Sequence, residues 1–126
     1  MLMKLRILAL VAVVLVPTQA SADLLSRAMR DMGRNPTGWS HQWCGRMMAM
    51  WAGGGPDKAS EWRHRGKATR ARPGAVAVMA HHVGVVVSCT SSTCRVIGGN
   101  HSGKSGRRTV GIGTYSKSKI IAFRAL

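Results

Sequence analysis

The hydrophobic pattern of the chain changes at Pro73 and Gly74, and this change constrains the fold more than any other feature. Before it, apolar residues recur at helical spacing, as over residues 24–32 and in the Met-rich stretch 44–52. After it come short β-type runs, which span residues 75–79, 83–87, 95–97, 109–112 and 119–123. Helices followed by an antiparallel sheet predict an α+β domain in which N-terminal helices pack on a small sheet.

Capping residues predict where the helices begin and end. Asp23 is a candidate N-cap of the first helix, and Gly33 is its expected stop. The second helix should begin at Cys44 and end before the stretch Gly53-Gly54-Gly55-Pro56. A short third helix is expected over residues 57–64.

The first 22 residues have the layout of a secretory signal peptide. Lys4 and Arg6 precede an apolar run of ten residues, 7–16, and Ala20-Ser21-Ala22 fits a cleavage site between small residues. A membrane-spanning helix needs about 20 apolar residues, so the run is too short to span a bilayer. We therefore expect export to the periplasm or the extracellular space, with an uncleaved anchor as the alternative. Residues 23–34 would then form an N-terminal helical segment and residues 35–126 the main domain, which we expect to be a monomer without a transmembrane span.

The charge of the chain is strongly one-sided. Its 19 Lys and Arg residues face only four Asp and Glu, a formal net charge of +15, and no acidic residue follows Glu61. Such a field attracts polyanions, and for an exported protein these are peptidoglycan and other anionic cell-envelope polymers rather than a specific nucleic acid. The alternative is that the charge serves solubility alone. No pair of carboxylates suggests a glycosidase, and the H-E-x-x-H motif of zinc peptidases is absent.

The three cysteines fall into two contexts. Cys89 and Cys94 bracket a small polar stretch, residues 90–93, between two apolar runs. This pattern predicts a hairpin whose flanking residues lie opposite each other, within reach of a disulfide in an oxidising compartment. Two free thiols are the alternative. In either case Cys44 is left unpaired.

Cys44 lies where a loop is expected to become a helix, and that position suits a thiol nucleophile. Main-chain N–H groups of a first helical turn favour a thiolate and point at a developing oxyanion. A base must come from elsewhere in the chain, and the candidates are His41, His64, His81, His82 and His101.

Four short motifs resemble the CHAP and NlpC branch of the papain-like cell-wall cysteine peptidases. They are W-C-G-R-M at 43–47, P-G-A-V-A-V at 73–78, H-V-G-V-V at 82–86 and G-G-N-H at 98–101. The resemblance covers residues 35–123, with residues 115–123 similar to the closing strand of such domains. It implies a papain-like fold and no cofactor, with Cys44 as nucleophile, His82 as general base and Asn100 as the residue that orients the imidazole. Because no carboxylate follows Glu61, a neutral third member is consistent with the residues themselves, and a side-chain amide oxygen can accept from an imidazole.

The resemblance implies hydrolysis of an amide bond in peptidoglycan, by an endopeptidase or an amidase. Two departures from the family pattern are Ala75, where an Asp is usual, and Gly45, where a small residue or Ser is common. His81 is an alternative base, although adjacent strand residues face opposite sides. A non-catalytic cationic wall-binding domain and a secreted antibacterial or host-directed effector are the rival functions.

Several further residues flank the expected cleft. Trp39 and Trp43 are candidates to stack on substrate, with His101 as a third substrate-binding residue, whereas Trp51 and Trp62 are expected in the core. Residues 98–105 match the G-x-x-x-x-G-K-S phosphate loop, but strand-like residues follow where that loop needs a helix. The histidines and cysteines could instead form a metal site, but an active site that depends on an imidazole explains them more simply, and we expect no metal.

Overall fold

The computed structural model describes residues 18–102 and 107–126, and it has the predicted α+β architecture. Two α-helices and two short 3₁₀ helices accompany one antiparallel sheet. The helices are α1 (Gln19–Arg30) and α2 (Cys44–Ala52), and the 3₁₀ helices are Ala59–His64 and Lys117–Lys119. The strands are β1 (Lys67–Ala68), β2 (Val76–Val78), β3 (Val83–Cys89), β4 (Thr93–Ser102), β5 (Arg108–Ser116) and β6 (Ala122–Ala125). Residues 1–17 of the predicted signal peptide lie outside the described residues.

Within the described residues the six strands form one sheet in the order β1-β6-β2-β3-β4-β5. Neighbouring strands are antiparallel throughout, and β2, β3 and β4 occupy consecutive places in the middle of the sheet. The last strand of the chain, β6, is therefore inserted between β1 and β2. None of the helices in this part of the chain is long and apolar enough to cross a membrane.

Helix α2 has the predicted bounds, but α1 does not. Gly53 ends α2 with a φ of 79°, the left-handed conformation that glycine adopts without strain. The predicted N-cap at Asp23 is wrong, because α1 begins at Gln19 and the hydroxyl of Thr18 accepts a hydrogen bond from the N–H of Ser21. The observed cap, Thr18, lies five residues before the predicted one, so Asp23 lies inside the helix.

Strands β4 and β5 are longer than their apolar runs predicted. Both contain glycines (Gly98 and Gly99 in β4, Gly111 and Gly113 in β5) that lower the strand propensity of the sequence. Ladder hydrogen bonds to a neighbouring strand do not depend on the side chain, so pairing extends through these glycines. The last predicted strand, 119–123, exists but is shifted along the chain, because Lys117–Lys119 is a 3₁₀ helix and β6 runs from Ala122 to Ala125.

The sheet is buried on both faces. One face packs against α1 and α2, and its strand residues are Val76, Val78, Val83, Val85, Ile97 and Val110. The helices contribute Leu24, Ala28, Met47, Met48 and Trp51 to this main core. The other face carries a smaller apolar cluster, which contains Ala75, Ala77, Val86, Cys94 and Val96 with Ala71, Tyr115, Ile120 and Phe123 packed against them. Burial on both faces explains why residues 83–87 are apolar without alternation.

Gly45 allows α2 to lie against the segment that follows it. A Cβ on Gly45 would be 2.6 Å from the carbonyl carbon of Asp57 and 3.0 Å from the nitrogen of Ala59, which are main-chain atoms with little freedom to move. Close packing therefore explains the glycine at this position.

We expect Gly45→Ala to lower the free energy of unfolding by about 1–3 kcal/mol, because it overpacks main chain against main chain. Urea unfolding followed by tryptophan fluorescence measures the effect. Met50→Ala, at an exposed position of the same helix, is the matched control and should change stability by less than about 0.5 kcal/mol. Equal stabilities of the two variants would contradict this packing argument.

Candidate active site

The Cys44 thiol is held at the junction of α2 and β3. Cys44 is the first residue of α2, it is 7% exposed, and its Sγ lies 3.8 Å from the carbonyl oxygen of His81, to which it donates. The N–H groups of Val83, Gly45 and Cys44 itself approach the same sulfur. The sulfur therefore contacts the main chain on both sides of His82.

Local backbone conformation and close packing fix this position. Gln42 has a φ of 47°, a left-handed conformation that is costly for a residue with a side chain, just before α2 begins. Trp43 is the N-cap and offers no side-chain hydrogen bond, so the first-turn N–H groups have no side-chain cap. Gly99 of β4 lies directly beneath the helix, since a Cβ there would be 2.7 Å from Cβ of Met47 and 2.8 Å from the Trp43 ring.

The His82 imidazole approaches from the other face of the sheet. His82 immediately precedes β3, and its ring lies over Gly98, where a Cβ would be 2.6 Å from Nε2 and 2.8 Å from Cε1. Gly98 and Gly99 are neighbours on β4 and point to opposite faces, so the imidazole and α2 lie on opposite sides of that strand. The Tyr115 ring stacks on the imidazole, with centroids 5.4 Å apart and an interplanar angle of 30°.

Burial keeps both groups neutral. Burial raises the pKa of the Cys44 thiol above its ordinary 9.0, and this effect outweighs the three N–H groups that lower it. Burial, and secondarily the positive charge of His101, lowers the pKa of His82 from 6.5 to about 4. The expectation that the helix N-terminus would produce a thiolate is therefore wrong for this conformation, in which Cys44 and His82, both described, form no hydrogen bond with each other.

Asn100 has a left-handed backbone conformation at an irregular point of β4. Its φ is 57°, and the pairing of β4 with β5 is irregular between Gly98 and His101. Arg108 donates from Nη1 to the main-chain oxygen of Asn100 at 3.2 Å. The side-chain Oδ1 of Asn100 is buried and has no hydrogen-bond partner in the described structure, so the predicted bond to His82 is not formed. A buried acceptor without a partner is costly, and it leaves Asn100 able to accept from a donor that approaches it.

The predicted catalytic residues nevertheless open onto one cavity of about 730 Å³. Cys44, His82 and Asn100 all line it. The remaining lining residues are Trp39, His41, Gln42, Asp57, Lys58, Ala59, Ser60, Ala80, His81 and Arg108. The tertiary structure thus brings together the three residues that the motifs singled out from separate parts of the chain.

The predicted substrate-binding residues have different positions. Trp39 lines the cavity, is 41% exposed, and carries the Arg46 guanidinium 5.8 Å above its ring. Trp43 is 1% exposed and belongs to the main core, so its ring offers no face to a substrate. His101 lies over Gly111 on the face away from α2 and does not line the cavity. The sequence around Cys44 carries no signal that separates a Trp that stacks on substrate from a Trp that packs in the core.

The charged residues of the cavity were missed in the sequence. Lys58 and Arg108 lie in segments without a motif, and Asp57 forms an ion pair with Arg46 at 3.6 Å. For Arg108 the run of basic residues without acidic ones after Glu61 was the available signal, but it does not say which of its members face the cavity, and Lys58 lies before that run.

The other two cysteines form a disulfide, Cys89–Cys94, at the β3–β4 hairpin that their spacing predicts. Cys44 is the free thiol. In the described ranges, 18–102 and 107–126, no three His, Cys, Asp or Glu side chains are grouped to hold a metal ion. The phosphate-loop match begins within strand β4, and its Lys104 and Ser105 lie outside the described residues.

Comparison with known proteins finds no similar sequence or structure. The chain matches no family model, no curated protein and no solved structure.

We expect the Cys44 thiol to be alkylated slowly by iodoacetamide at pH 7.5 in the folded chain, because only the thiolate reacts and burial raises the pKa of this thiol. The rate should climb steadily as the pH rises through 9, and at pH 7.5 it should be lower than in guanidinium-unfolded protein. Mass spectrometry counts the labels: one on the unfolded, unreduced chain and three after reduction. A rate that is already at its plateau at neutral pH would contradict this account.

Proposed function

We propose that the chain is an exported cysteine hydrolase, similar to the papain-like cell-wall peptidases, that cleaves amide bonds in bacterial peptidoglycan. One observation carries the proposal: the Cys44 sulfur rests against the main chain on either side of His82, in a cavity that Asn100 also lines. A free thiol at a helix N-terminus, an imidazole and a side-chain amide are the groups that thiol-dependent amide hydrolysis requires.

The proposed reaction starts from the neutral pair. The Cys44 Sγ attacks the amide carbonyl carbon while His82 accepts the thiol proton. The first-turn N–H groups of Cys44 and Gly45 stabilise the oxyanion of the tetrahedral intermediate. The intermediate collapses as the C–N bond breaks, His82 returns the proton to the leaving amine, and a thioester remains on Cys44. Water then attacks the thioester with His82 as base, releasing a carboxylic acid and the free thiol.

Catalysis requires the imidazole and the sulfur to come closer than they are at rest. His82 is held over Gly98 without a hydrogen bond to the thiol, and such contacts commonly tighten only when substrate is bound. Asn100, with its unpaired Oδ1, lines the same cavity as His82 and is available to accept the imidazole N–H when substrate binding brings the two side chains together. The neutral state of His82 at pH 7 suits a general base, which must be unprotonated to act.

The charge of the cavity supports an acidic substrate. Lys58 and Arg108 line it, together with the side chains of His41 and His81, while its one carboxylate, Asp57, is paired with Arg46. Peptidoglycan stem peptides carry free carboxylates, which fit such a surface. The exposed Trp39 ring at the same cavity suits the apolar face of a sugar or a stem-peptide side chain.

A non-catalytic wall-binding domain is the second candidate, and the neutral, unbonded Cys44 and His82 favour it. Both candidates predict salt-sensitive sedimentation with purified sacculi, because both rely on the same net positive charge. Only the hydrolase predicts new, soluble muropeptides.

Cys44→Ala should abolish muropeptide release from purified sacculi, and His82→Ala should reduce it by at least about 10³-fold, because each removes a group that takes part in bond making. His81→Ala is the matched control: its side chain lines the same cavity, and release should stay within a few-fold of wild type. Liquid chromatography of the soluble products measures all three. Unchanged release from Cys44→Ala would exclude the hydrolase, and loss in His81→Ala alone would transfer the role of base to His81.

Arg108→Gln should raise KM for a stem peptide with a free carboxylate by about 3- to 10-fold, since it removes one charged hydrogen bond at an exposed site. The same peptide with that carboxylate amidated should be hydrolysed equally by both proteins. Arg95→Gln, exposed on β4 and outside the cavity, is the control and should leave both substrates unaffected. An equal loss on both peptides would instead indicate that Arg108 acts by holding the main chain at Asn100.

A further inference from the structure

The rings of Tyr115 and His82 stack on the sheet face away from α2, and each ring lies above a glycine. The His82 ring lies over Gly98, and the Tyr115 ring lies over Gly113, where a Cβ would be 2.6 Å from the phenolic oxygen and 2.8 Å from Cζ. The two rings stack with their centroids 5.4 Å apart. The imidazole is thus held between Gly98 of β4 and the phenol ring of Tyr115 of β5.

Space for the rings is the reason for these glycines. Neither Gly98 nor Gly113 has a positive φ, so the backbone conformation at both positions is open to any residue. A methyl group at Gly98 would collide with Nε2 and Cε1 of His82, and one at Gly113 with the Tyr115 ring. A third ring, that of His101, lies over Gly111 in the same way.

We propose that Tyr115 is a positioning residue for His82, holding the imidazole against Gly98 at the edge of the cavity that Cys44 also lines. Its consequence for catalysis rests on the proposed role of His82 as the base, whereas the positioning itself does not. Tyr115 acts through its contact with the His82 ring. Burial, and secondarily the charge of a Cys44 thiolate, raises the pKa of Tyr115, so its phenol also lies within electrostatic range of the sulfur. Without the stacked ring the imidazole gains rotational freedom and contact with water, and a small displacement of a catalytic group costs up to about 100-fold in rate.

The test uses the full chain with three substitutions. Tyr115→Leu keeps apolar bulk but removes the stacked ring, whereas Tyr115→Phe keeps the ring and should behave as wild type. Phe123→Leu is the matched control, because Phe123 packs in the same smaller cluster but lies on β6, beyond β2 from His82. Gly98→Ala displaces the His82 ring from the side opposite Tyr115, so it remains informative if Tyr115→Leu does not fold.

Titration of the histidine ring signals by NMR is the first readout. In wild type, Tyr115→Phe and Phe123→Leu, His82 should titrate near pH 4, since burial keeps its pKa at about 4. In Tyr115→Leu and Gly98→Ala, water reaches the ring and the midpoint should rise toward 6.5. An unchanged midpoint in folded Tyr115→Leu and Gly98→Ala would overturn the proposal.

Kinetics provide the second readout. In Tyr115→Leu we expect kcat to fall about 10- to 100-fold with KM within about two-fold, because the base is misplaced while the substrate contacts remain. The acid limb of kcat/KM should move up with the His82 midpoint, since protonation removes the base. If wild type has no hydrolytic activity, the proposed function fails, but the titration still decides whether Tyr115 positions His82.

Discussion

Cys44, the first residue of helix α2, packs against the start of β3, and the cavity depends on that contact. Two glycines permit it, one in the helix and one in the sheet. Gly45 leaves room for the main chain of Asp57, and Gly99 leaves room for Met47 and the Trp43 ring. Because interiors are close-packed, a methyl group at either position would lift the helix or push away the segment that forms one wall of the cavity. The position of the Cys44 sulfur is thus a consequence of how closely a helix can approach a sheet.

The Cys44 thiol and the His82 imidazole reach the cavity from opposite faces of the sheet, and strand alternation is the reason. Val83 and Val85 of β3 face α2, so His82, one residue before Val83, faces the other way. The Cys44 thiol therefore lies on the helix side and depends on the main core. The imidazole belongs to the other side and depends on Tyr115, which is part of the smaller cluster. The main core thus supports the Cys44 thiol, and the smaller cluster supports the His82 imidazole.

Burial gives this thiol a protected resting state. Oxidation and alkylation both require a thiolate, and the raised pKa of Cys44 keeps that form scarce at neutral pH. The disulfide Cys89–Cys94 occupies the other two cysteines. Under the proposed export, the chain meets an oxidising environment in which an exposed thiol of low pKa is quickly lost. Under the proposed function, reactivity appears only when substrate draws the imidazole and the sulfur together.

The sequence by itself determined the features that depend on neighbouring residues. The bounds of α2, the start of β3 and the hairpin between Cys89 and Cys94 follow from periodicity, glycine stops and turn spacing, all of which act within a few residues. Sequence also selected Cys44, His82 and Asn100 through motifs, and the fold gathers them at one cavity. Only the tertiary structure decided that Trp43 is core, that Arg108 and Lys58 face the cavity, and that Gly98 is a floor for His82. Those facts depend on strand register and on which face each strand turns to α2, and both are set by contacts between residues far apart in the chain.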